Sequence, residues 1–436
     1  MPAMDKVAKP LGFWMCTSLI VGNVIGMGIF LLPAALAPYG WDAFLGWGIT
    51  LLGCTFIAYT FAQLARSMPS EDGPYGYVRQ TFGHGTAFFV MWSYWVSVWA
   101  TNATLAIGVV GYLIALLPGL SAWPQLPPLA TLILLWFFIL INCSGAKTSG
   151  RVQIISTLLK LLPLAAVIML GAVLLFTDSH AYTAHLPTTP VSLEATAAAG
   201  TISLFSMLGV ECATIPSGKV ERPEITIPRA TIAGTLFAAI IYIAVSAIPL
   251  LLLPQAELAK SSAPFADLLK HYWGADSGRW LALFVAISGM GALNGWTLVG
   301  GELTATFAEQ GIFPSIFKKQ NKYGAPAWGL IFTGVLASVM VGMNYTRSLA
   351  EGFTFLSVMV TAANLPLYLI GGLILINLGR QKKSGWLLFP AIAVCLYVLW
   401  TFYGVGKESL LWAVALGAVG LLPYWIQRQK LASTCQ

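Results

Sequence analysis

Apolar stretches of about 20 residues follow one another along almost the whole chain, and short polar or basic segments separate them. Stretches of this length are typical of helices that cross a membrane, whereas buried strands are much shorter. The pattern predicts an all-α polytopic membrane protein with twelve transmembrane spans, at about 11–37, 42–65, 84–117, 126–144, 152–176, 195–216, 230–253, 280–308, 327–344, 352–378, 385–404 and 409–426.

The charged residues are few, and they are placed asymmetrically. Only 9% of the residues are charged and 58% are hydrophobic, whereas a soluble domain carries about 25% charged residues. If the N-terminus and every second loop lie on one side, that side holds seventeen of the 23 Lys and Arg residues and the other side holds five. Because basic residues favour the cytoplasm, both termini are predicted to be cytoplasmic. These loops account for the net charge of +7, so no nucleic-acid partner is expected.

The order of the spans indicates a duplicated core. Each half of the core would contain five spans, and because five is an odd number, a duplication would place the second copy upside down in the membrane. Glycines interrupt span 1 within 22–28, and span 6, at the corresponding position, is interrupted around 206–211. Paired interruptions of this kind are typical of the binding site of a transporter. We therefore predict a transport core at 1–378 with repeats at 11–176 and 195–378, two accessory helices at 385–426, and a tail at 427–436.

The glycines of span 1 lie in the segment GNVIGMGIF, in the middle of the membrane. If the helix unwinds at Ile25, Gly26, Met27 and Gly28, the freed peptide groups are tolerated only where they line a cavity or bind a ligand. A second half-helix that begins near Gly28 would direct the positive end of its dipole at that ligand, which suits a carboxylate. The alternative is that the glycines serve close helix packing.

Two ionisable residues lie inside predicted spans. Glu211 lies in span 6, and insertion of an acidic residue at the centre of a membrane helix costs roughly 2.5–3.5 kcal/mol. We therefore expect Glu211 to have a function. It could bind a cationic group or take up a proton, or it could be a structural carboxyl that is hydrogen-bonded to a neighbouring helix. Lys160, in span 5, is too deep to reach the interface easily. It could act as a proton switch, or as a permanent ammonium that is bound by backbone carbonyls of a broken helix.

Aromatic and amide side chains supply further candidates. Trp95, Trp99 and Asn102 share one face of span 3, where they could hold a cation or simply pack in the bundle. Phe205 and Trp296 are candidates for aromatic gates, again with packing as the alternative. No ATP-binding, hydrolase or metal-ligand motif is present, so no enzyme activity, cofactor or metal is expected. A channel would need a continuous polar pore, whereas the polar residues cluster in the middle of the membrane.

Seven segments follow one another along the chain in the order GNVIGMGIFLLPA, GPYGYVRQTFG, YWVSVWATN, LGVECA, VERPEITIPRA, LNGWTLVGGE and GIFP. Together they resemble the amino acid–polyamine–organocation transporters, and among them the branch of bacterial arginine/agmatine and putrescine/ornithine antiporters. The resemblance implies a five-plus-five inverted repeat with broken helices 1 and 6 and two extra helices. It also implies alternating access, a place in the bacterial inner membrane, and often a homodimer.

The resemblance also implies roles for individual residues. Met27 and Gly28 would meet the substrate carboxylate, and Asn102 would meet its head group. The resemblance places Glu211 close behind the pocket, whereas the position of Glu211 and Lys160 inside the membrane makes both candidates for coupling or pH response. The remaining pocket residues would be Ile25, Gly26, Ser97, Val98, Phe205, Ser206, Leu208, Trp296 and Ser357.

The chain departs from the arginine branch at three positions. Met27 replaces a serine, Phe205 replaces a tryptophan, and Lys160 is similar to a span-5 lysine of other family members, where it stands in for a sodium ion. These changes argue against arginine itself as the substrate. The sequence therefore predicts a secondary active transporter of amino acids, by exchange or with proton coupling, with a polyamine or decarboxylated-amine antiporter as the alternative and a channel as a remote one.

Overall fold

The computed structural model describes residues 12–68, 73–211, 220–344 and 346–425. The described chain is built of helices, which follow one another as α1 (Phe13–Val24), α2 (Met27–Leu36), α3 (Trp41–Ser67), α4 (Gly73–Leu116), α5 (Leu126–Cys143), α6 (Ala146–Thr177), α7 (Leu193–Ser206), α8 (Pro223–Leu252), α9 (Gln255–Leu258), α10 (Pro264–Trp273), α11 (Ala275–Glu309), α12 (Ala327–Met343), α13 (Leu349–Gln381), α14 (Gly385–Gly404) and α15 (Lys407–Val419).

These helices confirm the prediction of an all-helical membrane protein. Within the described residues, ten helical segments are long and apolar enough to cross a membrane, and α1 with α2 counts as one of them. Predicted span 9 corresponds to α12, an apolar helix of 17 residues. Predicted span 6, at about 195–216, corresponds to α7, which has 14 residues. Residues 212–216 of this predicted span lie outside the described part of the chain.

The interrupted first span lies at the centre of the bundle. In an apolar window of 18 residues of this span, 94% of the residues are buried, whereas only 11% are buried in such a window of the last span. The long helix α4 packs against both α11 and α13, and α3 packs against α8. Gly40 and Gly274 lie at the end of the bundle that the distribution of basic residues predicts to face outside, called the outer end below.

Two other glycine- or proline-containing spans remain helical. Helix α11 is continuous from Gly289 to Trp296, and α13 is continuous through Asn364 and Pro366. In contrast, α4 bends at Gly83, whose φ of 83° is outside the helical region. The segment before this bend is helical from Gly73 onward.

Candidate functional site

The first span is broken where its glycines predict. Helix α1 ends at Val24, and Ile25 (ψ 79°) and Gly26 (φ −111°, ψ −157°) leave the helical region before α2 begins at Met27. The Gly26 N–H donates to the carbonyl of Val24 at 2.7 Å instead of to the residue four positions back. The predicted interruption at 25–28 is thus confirmed, although the second half-helix starts at Met27 rather than at Gly28.

Helix α7, which corresponds to predicted span 6, also ends inside the bundle. Helix α7 stops at Ser206, and residues 207–211 form turns. Gly209 adopts a φ of 106°, which favours glycine because a side chain would collide with the backbone there. The predicted interruption around 206–211 begins at this point.

The two helix ends meet. A Cβ atom added to Gly28 would lie 2.9 Å from both Cα and Oγ of Ser206, so the first turn of α2 packs directly on the end of α7. The Oγ of Ser206 is buried and has no hydrogen-bond partner among the described residues. Unpaired buried polar atoms are uncommon in proteins. This hydroxyl is therefore available to a ligand.

A tyrosine of α8 bridges the same two ends. The buried hydroxyl of Tyr242 lies 2.6 Å from the carbonyl oxygen of Val24 and 3.3 Å from that of Ser206. Both carbonyls belong to the last turn of a helix, where backbone oxygens lack an intrahelical partner. Sequence reasoning missed Tyr242, since a tyrosine within an apolar span carries no motif.

Lys160 supports the end of α1 from another side. Its side chain is only 1% exposed, and Nζ donates to the carbonyl of Gly22 at 2.7 Å. Gly22 would normally accept from Gly26, but the Gly26 N–H has turned to Val24. The geometry matches the interpretation in which an ammonium is bound by a carbonyl of a broken helix, and a role of Lys160 in coupling stays a prediction.

Glu211 is fully buried beside the end of α7. Its carboxylate accepts hydrogen bonds from the hydroxyl of Tyr368 at 2.8 Å, from the hydroxyl of Tyr94 at 3.2 Å, and from the Gly209 N–H at 3.3 Å. These contacts join α13 and α4 to the turn that follows α7. An ionised carboxylate accepts and does not donate, which suits this set of donors. The two tyrosines were not predicted, and the sequence offers no spacing that would pair them with Glu211.

The side chain of Met27 lies against Gly289 of α11. A Cβ atom on Gly289 would lie 2.2 Å from the Met27 sulfur, so this glycine makes room for the thioether between α2 and α11. Met27 is fully buried. Its side chain therefore anchors the start of α2, and only its peptide group is available at the break.

The predicted row on span 3 faces α11 and is partly structural. Trp95 donates from Nε1 to Thr304 Oγ1 at 2.8 Å, and its ring lies 5.0 Å from that of Phe313. The packing interpretation therefore holds for Trp95. Trp99 Nε1 and Asn102 Oδ1 are buried and have no partner within the described residues.

The remaining predicted pocket residues are buried around the same helices. Ser97 donates to Tyr94 O at 2.7 Å and Ser357 donates to Thr354 O at 2.8 Å, so both hydroxyls are bound within their own helices. Phe205 meets Phe353 of α13 edge-to-face, with ring centroids 5.6 Å apart. The side chains of four further residues are also buried, namely Ile25, Val98, Leu208 and Trp296.

A cavity of about 440 Å³ lies at the outer end of these helices. Residues of α2, α7 and α13 line it, among them Ala35, Ile202 and Val358, together with the link between α14 and α15. Phe205 follows Ile202 by one helical turn and is 6% exposed. The helix breaks are thus separated from the outer cavity by packed side chains.

Comparison with known proteins places this geometry in context. The family model described as amino acid permease matches residues 11–423. The putrescine transporter PotE of Haemophilus influenzae is 29% identical over 427 residues, which cover 97% of this chain and 98% of the relative. The putrescine transporter PotE of Escherichia coli is 28% identical, with 96% of each chain covered. The cadaverine/lysine antiporter of Escherichia coli is 30% identical over 77% of this chain and 74% of the relative.

Proposed function

Because the chain belongs to the amino acid permease family, as its motifs predict, we propose that it is a secondary active transporter of amino acids. Members of this family are transporters and not enzymes. The observation that carries the proposal is the meeting of two interrupted helices, where Gly28 packs on Ser206 and Tyr242 bridges the carbonyls of both ends. Peptide groups freed in this way are suited to a zwitterion, since N–H and C=O groups lie side by side.

The substrate binds at these breaks. The first turn of α2 offers backbone N–H groups without helical partners, which receive the α-carboxylate. The α-amino group is received by carbonyl oxygens at the ends of α1 and α7. The substrate side chain lies among Asn102, Phe205, Trp296 and Ser357. Ser206 supplies the unpaired buried hydroxyl described above.

The transport cycle uses alternating access. In this proposal twelve spans form a five-plus-five inverted repeat with two further helices, both termini are cytoplasmic, and the protein lies in the bacterial inner membrane, in some cases as a homodimer. Lys160 holds the end of α1 and Glu211 holds the turn after α7, so each is placed to link a change of charge to the geometry of a break. Transport then proceeds by exchange or with proton coupling.

A diamine antiporter is the second candidate. The buried Glu211 carboxylate would attract an ammonium group, and the relatives include proteins named for putrescine and for cadaverine. A diamine lacks the carboxylate that the first turn of α2 would bind. The requirement for a substrate carboxylate therefore separates the two candidates.

Exchange in proteoliposomes tests both. Vesicles preloaded with one compound are assayed for uptake of labelled lysine, ornithine, arginine, neutral amino acids, putrescine and cadaverine. We expect saturable uptake that depends on a preloaded substrate or on a proton gradient, and competition by a compound without a carboxylate only if diamines are substrates. Absence of saturable flux for every compound contradicts transport, and linear, non-saturating flux indicates a channel.

A further inference from the structure

A buried tyrosine ties three elements together at the outer end of the site. The hydroxyl of Tyr112, on α4, donates to the carbonyl of Phe30 in α2 at 2.7 Å. The same oxygen accepts from the N–H of Phe265, in the first turn of α10, at 3.3 Å. A tyrosine hydroxyl can donate once and also accept, so both capacities are used here.

The aromatic rings around this hydroxyl form a tight contact. The ring centroids of Phe30 and Phe265 are 5.6 Å apart, those of Phe30 and Tyr112 are 6.4 Å apart, and both pairs are edge-to-face. All three side chains are fully buried. A second link follows at the end of the same half-helix, where Gln255 Nε2 donates to the carbonyl of Ala37 at 2.5 Å.

These contacts hold α2 against elements on both sides of it. The Phe265 N–H lies in the first turn of a helix, where no intrahelical acceptor is available, so the Tyr112 oxygen supplies it. If α2 moved away from α4 or α10, a buried carbonyl and a buried N–H would lose their partners. Such unpaired groups are costly, and the cost opposes the movement.

We propose that Tyr112 is a positioning residue that holds α2 and α10 together while the outer route to the site is closed. Its hydroxyl sets the balance between the outward-closed and outward-open states. The inference rests on the proposed alternating access, because only a transporter must open this end of the site. It concerns the outer half of span 1 and uses none of the residues that bind substrate.

Chemical labelling of a reporter cysteine tests the proposal. Ile202 lines the outer cavity and is 3% exposed, so Ile202→Cys reports opening from outside. In intact cells that express the full chain, a membrane-impermeant maleimide is added and the labelling rate is measured, with the chain without the reporter as background. Tyr112→Phe removes the hydroxyl and with it both hydrogen bonds. We expect a rate at least roughly two- to twelvefold faster, which corresponds to the loss of the shorter of the two.

Two further variants make the result decisive. Tyr182→Phe removes a hydroxyl that donates to the carbonyl of Gly171 at 2.7 Å, away from α2, and should leave the rate unchanged. Gln255→Ala removes the second link to α2 and should raise the rate; it decides the question if Tyr112→Phe does not fold. Tyr112→Phe should also change KM on the outside more than KM on the inside.

The contrary outcomes are equally clear. An unchanged rate in a folded Tyr112→Phe protein, or an equal rise in Tyr182→Phe, overturns the positioning role. Because labelling requires no transported substrate, this failure is separate from the absence of saturable flux that would contradict transport.

Discussion

Tyr242 makes the sharpest prediction about the two helix ends. Tyr242→Phe removes only the hydroxyl that lies between the carbonyls of Val24 and Ser206. The ring stays, and so does its contact with Trp47, whose centroid is 5.8 Å away. Val24 keeps the Gly26 N–H as a partner, at 2.7 Å. The change therefore isolates the bridge from the packing.

The size of the effect follows from the lost hydrogen bond. A buried hydrogen bond contributes about 0.5–1.5 kcal/mol net, and membrane-embedded ones average about 0.6 kcal/mol. If the bridge pre-positions both ends for substrate, this free energy appears in binding, and a change of about 1.4 kcal/mol is tenfold in Kd. We expect substrate to bind roughly two- to twelvefold more weakly.

Calorimetric titration of the purified protein with a transported substrate measures this change. Tyr272→Phe is the matched control, since it removes a hydroxyl that donates to the carbonyl of Leu252 at 3.0 Å, near the outer end of the bundle. Its Kd should equal that of the unmodified protein. A Tyr242→Phe protein that binds substrate with unchanged affinity, or a control that loses as much, would refute the reasoning.

Three other substitutions test the remaining parts of the site. Gly28→Ala places a methyl group 2.9 Å from Ser206 and should weaken substrate binding at least about tenfold. Gly48→Ala is the control, since a methyl group there would have no atom within 4 Å, and it should leave the affinity unchanged. Equal affinity of both variants in a calorimetric titration would argue against contact of the helix ends at the site. Glu211→Gln should flatten the pH dependence of transport in proteoliposomes, and an unaltered profile would count against a proton role. Lys160→Ala should slow turnover by roughly ten- to hundredfold, because a charge-assisted hydrogen bond is lost, and should weaken binding less; equal losses would contradict coupling.

The sequence predicts the spans well because length and apolarity are set by the membrane itself. It also locates the break in span 1, since glycine is the residue that a central unwound segment requires. Span 8 also carries glycines between 289 and 296, and there the helix continues. At Gly289 the missing side chain makes room for Met27, and this use of glycine depends on a neighbour that is distant in sequence.

The polar contacts of the site were beyond sequence reasoning for a related reason. Tyr242, Tyr94 and Tyr368 act through the tip of a long side chain, and the target of each tip is set by helix packing. Glu211 and Lys160 stand out because a charge in the membrane is expensive, whereas a tyrosine there is not. Trp95 illustrates the converse. Its spacing in the sequence is compatible with a binding face, but in the structure its ring packs against Phe313.

A structure of the protein with bound substrate, determined by electron cryo-microscopy, tests the central claim most directly. The account predicts that the charged groups of the substrate lie about 3 Å from peptide groups at 25–28 and 206–209. Substrate bound elsewhere while the breaks remain unoccupied, or a first span that is continuous through Gly26 when substrate is bound, would contradict it.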